Sequence, residues 1–338
     1  MTPKSEYFTQ SHNFFSASLG GVDPRTGLYS FSFPIINIVA NGNLGPEINL
    51  SLNYNQLNTD NIGFGKGISF SLTYYDALNK ILYLSNGETY RIKENPQGIE
   101  VEQRKLKTFK IERTNENYII TYKSGVVEIL EGTNSGREIK NVISIHSPLG
   151  HQVNFNWIFK GINRLSSIED QNGELININY DDLNIPALTL FSETSEERLL
   201  HCQLFNSFLK KIVYINNDYK WDISYNINGF VESIIYPSGL TETVTYQNNI
   251  MRFPEDAIPA LPAVIKYTLD PGNEQKAQVT TYEYTSTNYL GFASGVNFSP
   301  NRDNAYAILT DYQYGSTETQ IGESENITIT RHYNNFTF

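Results

Sequence analysis

A single ruler of landmarks recurs along this chain and limits what it can fold into. In the segment GFVESIIYPSGLTETVTY, residues 229–246, Val231 is position zero, with Ile234 at +3, Gly239 at +8 and Tyr246 at +15. The same ruler laid from Leu165 meets Ile168, Gly173 and Tyr180, and laid from Val142 it meets Ile145, Gly150 and Trp157. A fourth copy starts at Leu209, with Ile212 at +3, Asn217 in the glycine place and Tyr225 at +16, one residue late. The starts at 142, 165, 209 and 231 are separated by 23, 44 and 22 residues, a period of about 22 with one unit's length of other sequence inserted.

Each unit reads as one β-hairpin. Ile176, Ile178 and Tyr180 alternate with Asn177 and Asn179, the period-two pattern of a half-buried antiparallel strand. The turns SPLG, DQNG and YPSG all end on glycine, which suits a type I turn followed by a left-handed residue and a bulge. Asn217 is the next best residue for that conformation, and the extra residue of its copy fits a turn or bulge variant. A lone hairpin is marginal in water, so successive hairpins must pair edge to edge. Val142, Leu165, Leu209 and Val231 are then expected to be equivalent and buried. The expected fold is all-β, with hairpins stacked into a strongly twisted, spiralling antiparallel sheet that makes a partial hollow shell.

Residues 1–140 read as a β-rich lead-in with looser spacing, including a hairpin that turns at Ser124 and Gly125, and residues 141–338 as the repeats. The insertion at about 181–207 carries Thr194 and Glu197 in capping-box spacing ahead of RLLHCQLF, which predicts one short helix over 194–204. Glu193, Glu196 and Glu197 would favour its amino terminus. The closing ITITRHYNNFTF alternates like a strand without a closing turn, and is expected to offer its edge to a further polypeptide.

Composition narrows the function. With 25 basic against 36 acidic side chains the formal charge is −11, which repels nucleic acid and anionic lipid. Cys202 is the one cysteine, so neither an internal disulfide nor a Cys-x-x-Cys zinc site is available. The amino terminus lacks the apolar core of a secretory signal, and no run of some eighteen apolar residues is present. These features predict a chain made in the cytoplasm and exported by a non-Sec route, secreted or to the cell surface.

The stretches SASLGGVDPRTGLYSFSFPI, LNYNQLNTDNIGFGKGISFSL, NGELININYDD, PSGLTETVTY, TYEYTSTNYLGF and RHYNNF together give the sequence a likeness. It resembles the RHS/YD-repeat family of bacterial proteins, which includes the shells of Tc-type insecticidal toxins and polymorphic toxins. The resemblance implies a β-strip wound into a hollow shell around a toxic carboxy-terminal cargo, completed by a core region with an aspartyl autoprotease. No residues here match that protease or a cargo. The expected function is therefore a non-enzymatic shell segment whose partners are a further polypeptide that continues the wall and a toxin cargo. The alternative is a carbohydrate-binding surface adhesin that uses exposed Tyr and Asn side chains of the repeats.

No catalytic, cofactor or metal residue is assigned. Asp23-Pro24 superficially matches self-cleaving aspartate motifs, yet a turn explains it. GFGKG, residues 63–67, lacks the spacing and following helix of a phosphate loop and reads as a bulged turn. His146 and His151 flank the SPLG turn without a third ligand, and Ser192, Ser195, His201 and Asp181 lack a nucleophile elbow.

Overall fold

The computed structural model describes residues 20–58, 61–96, 98–102, 106–192 and 194–334. Glu193, the amino-terminal end of the SASLGG stretch and the final NFTF lie outside the described residues. The chain divides into two compact units, one of Ser32–Tyr54 and Asn58–Tyr219, the other of the described parts of Met1–Phe31, Asn55–Leu57 and Lys220–Phe338.

In the first unit ten strands run in sequence order, each antiparallel to the next. They are Phe109–Arg113, Tyr118–Tyr122, Val127–Leu130, Ile139–His146, Gln152–Phe159, Asn163–Asp170, Gly173–Asn179, Ala187–Leu190, Arg198–Phe205 and Phe208–Tyr214. A side branch leaves at Ile139–Asn141, which pairs with Tyr74–Asp76, and continues through Ile81–Tyr83, Thr89–Asn95 and Gly98–Val101. The second unit repeats the plan with the strand Tyr219–Tyr225 from Lys220 onward, then Val231–Ile235, Thr241–Met251, Leu261–Asp270, Gln278–Tyr284, Gln313–Ile321 and Ile327–Asn334. Nearly all of the regular secondary structure among the described residues is thus antiparallel β-structure between sequence neighbours, as the period-two pattern requires.

The expected helix over 194–204 is absent. Arg198–Phe205 is a strand paired on both sides, Leu200 and Cys202 are buried, and Leu199 and His201, which alternate with them, are half-buried. Thr194 does not cap a helix; its hydroxyl donates to the Phe191 carbonyl at 2.7 Å and accepts the Glu196 N–H at 3.2 Å, closing a turn. Two flanking strands outweigh a local capping signal worth about 1 kcal/mol. Among the described residues helical character is confined to Ala40–Asn43 and Pro254–Asp256, and each contains left-handed residues, so both are tight turns.

Five turns share one build. In 147–151 the Gly150 N–H donates to the Ser147 carbonyl at 3.0 Å and the Ser147 N–H to the His151 carbonyl at 2.8 Å. In 236–240 Gly239 and Tyr236 repeat the pair at 2.9 Å each. Turns 84–88, 122–126 and 226–230 do the same. The glycine sits at φ between 81° and 89° in all five, the left-handed conformation that a side chain disfavours. The DQNG turn differs: Gly173 lies in the ladder opposite Asp170, leaving a two-residue loop. In the Leu209 copy the left-handed residue is Asp218, at φ 52°, and not Asn217. The extra residue of that copy therefore lies in the turn and moves the special conformation one place on.

Candidate functional site

The closing aromatic of each unit ties the hairpin shut. Trp157 Nε1 donates to the Val142 carbonyl at 2.7 Å, Tyr180 Oη to the Leu165 carbonyl at 3.0 Å and Tyr246 Oη to the Val231 carbonyl at 2.9 Å. Each bond joins position +15 to position zero of its own unit. Val142, Leu165, Leu209 and Val231 have no exposed surface, and Ile145, Ile168, Ile212 and Ile234 at +3 are buried beside them. Tyr225, at +16 of the Leu209 unit, stands opposite Val231 in the ladder.

The ladder shows why an aromatic falls there. Trp157 stands opposite Leu165, Tyr225 opposite Val231 and Tyr246 opposite Val264, each immediately after a register shift. Leu130 opposite Val142 and Leu204 opposite Leu209 sit after the same irregularity. The aromatic thus faces the next unit's zero residue while its polar tip returns to its own. A bulge displaces the strand by one residue and adds twist. The phenol satisfies a buried carbonyl that would otherwise cost about 1–3 kcal/mol. Burial pushes the Tyr180 and Tyr284 phenols well above their ordinary range, so they remain donors.

Two further units escaped the sequence ruler. Val264 is buried, Tyr267 stands at +3 and Gly272 at +8 with φ 72°, and Tyr284 Oη donates to the Val264 carbonyl at 2.7 Å. Its closing aromatic comes at +20 because the turn 271–277 is long. The 181–207 segment holds another: Leu188 has no exposed surface, and Leu204 takes the place after the bulge without a polar tip. With Leu188 counted, the starts at 142, 165, 188, 209 and 231 are spaced 23, 23, 21 and 22 residues. A signal was present in that spacing, hidden by the missing aromatic.

A second feature lies in the unit that contains Lys220–Phe338. Glu242 has no exposed surface, and its carboxylate accepts Tyr29 Oη and Tyr236 Oη at 2.6 Å each and the Gly20 N–H at 3.2 Å. Tyr267 Oη donates to the Gly20 carbonyl at 3.0 Å. Burial, then the adjacent Glu242, hold the Tyr29 and Tyr267 phenols far above their ordinary range; at Tyr236 the same two causes act. These residues fasten the glycine segment onto the hairpin strands.

The other singled-out residues have local roles. Asp23 accepts the Arg25 N–H and the Thr26 hydroxyl, both at 2.8 Å, so its own turn occupies both carboxylate oxygens; burial raises its carboxyl against those bonds. In GFGKG, Asn61 Oδ1 takes the Gly63 and Gly65 N–H groups at 2.8 and 3.2 Å, the Lys66 N–H donates to the Ser207 carbonyl at 2.8 Å, and Phe64 is wholly buried. The loop is a strap over a hairpin turn. His146 Nε2 lies 3.0 Å from Ser144 Oγ. Asp181 precedes the strand Ala187–Leu190 while Ser192 and Ser195 follow it, so these do not converge with His201. Burial alone raises the Cys202 thiol. Among the described residues no group of three or more His, Cys, Asp or Glu side chains is placed to hold a metal ion, and no helix is long and apolar enough to cross a membrane.

No protein-family model matches the chain, and no curated protein matches it. Among solved structures, TcdB2-TccC3-TEV is similar at 12% identity and a TM-score of 0.38, over 96% of this chain and 20% of that one. TcdB2-TccC3 gives 10% and 0.35, over 95% and 21%. A porin-like protein from Bacteroides uniformis ATCC 8492 gives 12% and 0.24, over 92% and 96%. The chain spans about a fifth of the TcdB2-TccC3 chains. At these scores the geometry of the repeat has to carry the functional reading.

Proposed function

We propose that this chain is a non-enzymatic wall segment of an RHS/YD-repeat toxin shell, helping to enclose and protect a toxic carboxy-terminal cargo. The supporting observation is the bond from the closing aromatic to the zero carbonyl, made in four hairpins that between them have three kinds of turn. A fastening that persists while loops vary is what a wall built by repetition needs. In this reading residues 1–140 lead into the wall, residues 141–338 are the repeats and 181–207 is one more hairpin. Val142, Gly150, Trp157, Leu165, Gly173, Tyr180, Leu209, Tyr225, Val231, Gly239 and Tyr246 are its structural positions. The partners are a further polypeptide and a cargo, and the protein is made in the bacterial cytoplasm and exported by a non-Sec route. Adhesion through the repeat tyrosines draws no support from this geometry, because Tyr180 is buried and the Tyr180 and Tyr246 hydroxyls are held by carbonyls.

The test is co-expression with the polypeptide encoded downstream, followed by limited proteolysis. Co-purification with the downstream cargo region protected until the wall is cut supports the proposal. Absence of association, or a cargo digested as fast as when free, overturns it, and glycan binding lost on Tyr219→Ala would favour the adhesin.

A further inference from the structure

Glu128 is an acid on the apolar face of the sheet. In the ladder it stands opposite Ile120 on one side and Ile145 on the other, and it is 4% exposed. Its Oε2 accepts Tyr122 Oη at 2.9 Å, and the buried Thr73 hydroxyl bonds the same carboxyl. Thr73 Oγ1 in turn accepts the Ser85 N–H at 3.1 Å, and its carbonyl accepts the Val142 N–H at 3.3 Å. Glu128 therefore joins its own hairpin to the segment before Tyr74 and, through that segment, to the strand Ile139–His146.

Two other carboxylates in this unit have cations: Glu94 has Lys80 and Arg113, and Glu131 has Arg137; buried Asp76 accepts the Leu78 and Asn79 N–H groups and the Asn79 amide. Glu128 bonds to two neutral hydroxyls. The titratable group facing it from its own hairpin is Tyr122, with Glu88 acting on that phenol from beyond. The segment of Thr73 adds Tyr75, which packs in the core cluster with Ile120 and donates its hydroxyl to Glu94 at 2.5 Å, with Asp76 acting on that phenol. On the neighbouring strands its ladder mates are isoleucines; His146, next to Ile145, lies on the other face with Ser144, and Lys110 and Glu112 flank Ile111 on that same other face.

We propose that Glu128 is a proton-operated lock on the hairpin Tyr118–Leu130: neutral, it seals three segments together; ionised, it loosens them. Burial raises its carboxyl above the ordinary value of 4.5, against the lowering effect of the Thr73 and Tyr122 hydrogen bonds. Because the folded value exceeds the unfolded one, ionisation opposes folding. The lock is weakest above the raised value, tightens as pH falls through it and is fully set only below 4.5, the unfolded value. Mild acid thus firms this part of the chain, whereas Glu94, held below 4.5 by Tyr75, Lys80 and Arg113, loses support as pH falls through its depressed value.

The test compares the full chain with Glu128→Gln, which stays neutral at every pH, by urea denaturation and by hydrogen exchange of the 119–121 amides from neutral pH to about one unit below 4.5. Glu128→Gln should be the more stable at neutral pH and lose that advantage on acidification. Each pH unit by which the folded value exceeds the unfolded one corresponds to about a tenfold difference in protection. Tyr122→Phe removes a bond to the anion and should move the midpoint of the wild-type pH dependence upward. Parallel stability curves for wild type and Glu128→Gln overturn the proposal. So does an unmoved midpoint in Tyr122→Phe, which decides the matter if Glu128→Gln does not fold.

Discussion

Tyr246→Phe removes one oxygen and nothing else from the fastening of the Val231 hairpin. The phenol donates at 2.9 Å to the carbonyl of a residue with no exposed surface, while the ring keeps its contact with Phe230 at 5.4 Å between centroids. A net hydrogen bond of about 0.5–1.5 kcal/mol, with part of the about 1–3 kcal/mol cost of an unsatisfied buried carbonyl, gives a loss of about 1.5 kcal/mol. For a unit of about 150 residues this lowers Tm by about 3–6 °C. Urea denaturation should show a reduced midpoint with an unchanged slope, since the folded surface is the same. The exposed Tyr219 provides the control, and Tyr219→Phe should stay within about 0.5 kcal/mol of wild type. Equal stabilities of the two variants would refute the reasoning and reduce the aromatic to a packing residue.

Glu242→Ala should cost about 3–5 kcal/mol, because it strands two phenols and an N–H in a buried network, and Glu242→Gln should cost clearly less; thermal denaturation ranks them. Glu94 titrates in the opposite sense to Glu128: burial raises it, but Tyr75, Lys80 and Arg113 outweigh that and hold it below 4.5. Its support is present above 4.5 and lost as pH falls through the depressed value, so the gap between wild type and Glu94→Gln in a pH series should close on strong acidification. Gly65→Ala places a Cβ 2.7 Å from the Leu209 nitrogen at a φ of +102°. Gly161→Ala, at φ +76° with nothing within 4 Å, meets only the conformational cost. In denaturant melts the first should lose at least about 2 kcal/mol and the second about 1.

The hairpins were legible because their code is local. Period-two alternation and a glycine after a type I turn are dictated within about ten residues, and Trp157, Tyr180 and Tyr246 marked the fastening before its bond partners were visible. Pairing partners were not legible in the same way. RLLHCQLF carries a helix-start signal, and only the strands on either side make it a strand. A long turn moves Tyr284 to +20 and takes the Val264 unit off the ruler, and sequence does not say that Asp218 instead of Asn217 turns left in a lengthened turn. Glu242 and Glu128 were invisible for a further reason. An acid in a strand reads as solvent-facing, and the partners that make Glu242's burial tolerable, Gly20 and Tyr29, lie 222 and 213 residues away.

Electron cryomicroscopy of the chain purified together with the polypeptide encoded downstream tests the shell reading most directly. The account predicts a closed particle in which the hairpins from Ile139 to Asn334 form one stretch of wall, with Trp157, Tyr180, Tyr246 and Tyr284 each on the carbonyl of its own unit. A free chain with no associated polypeptide, or a complex in which these hairpins enclose nothing, would contradict it.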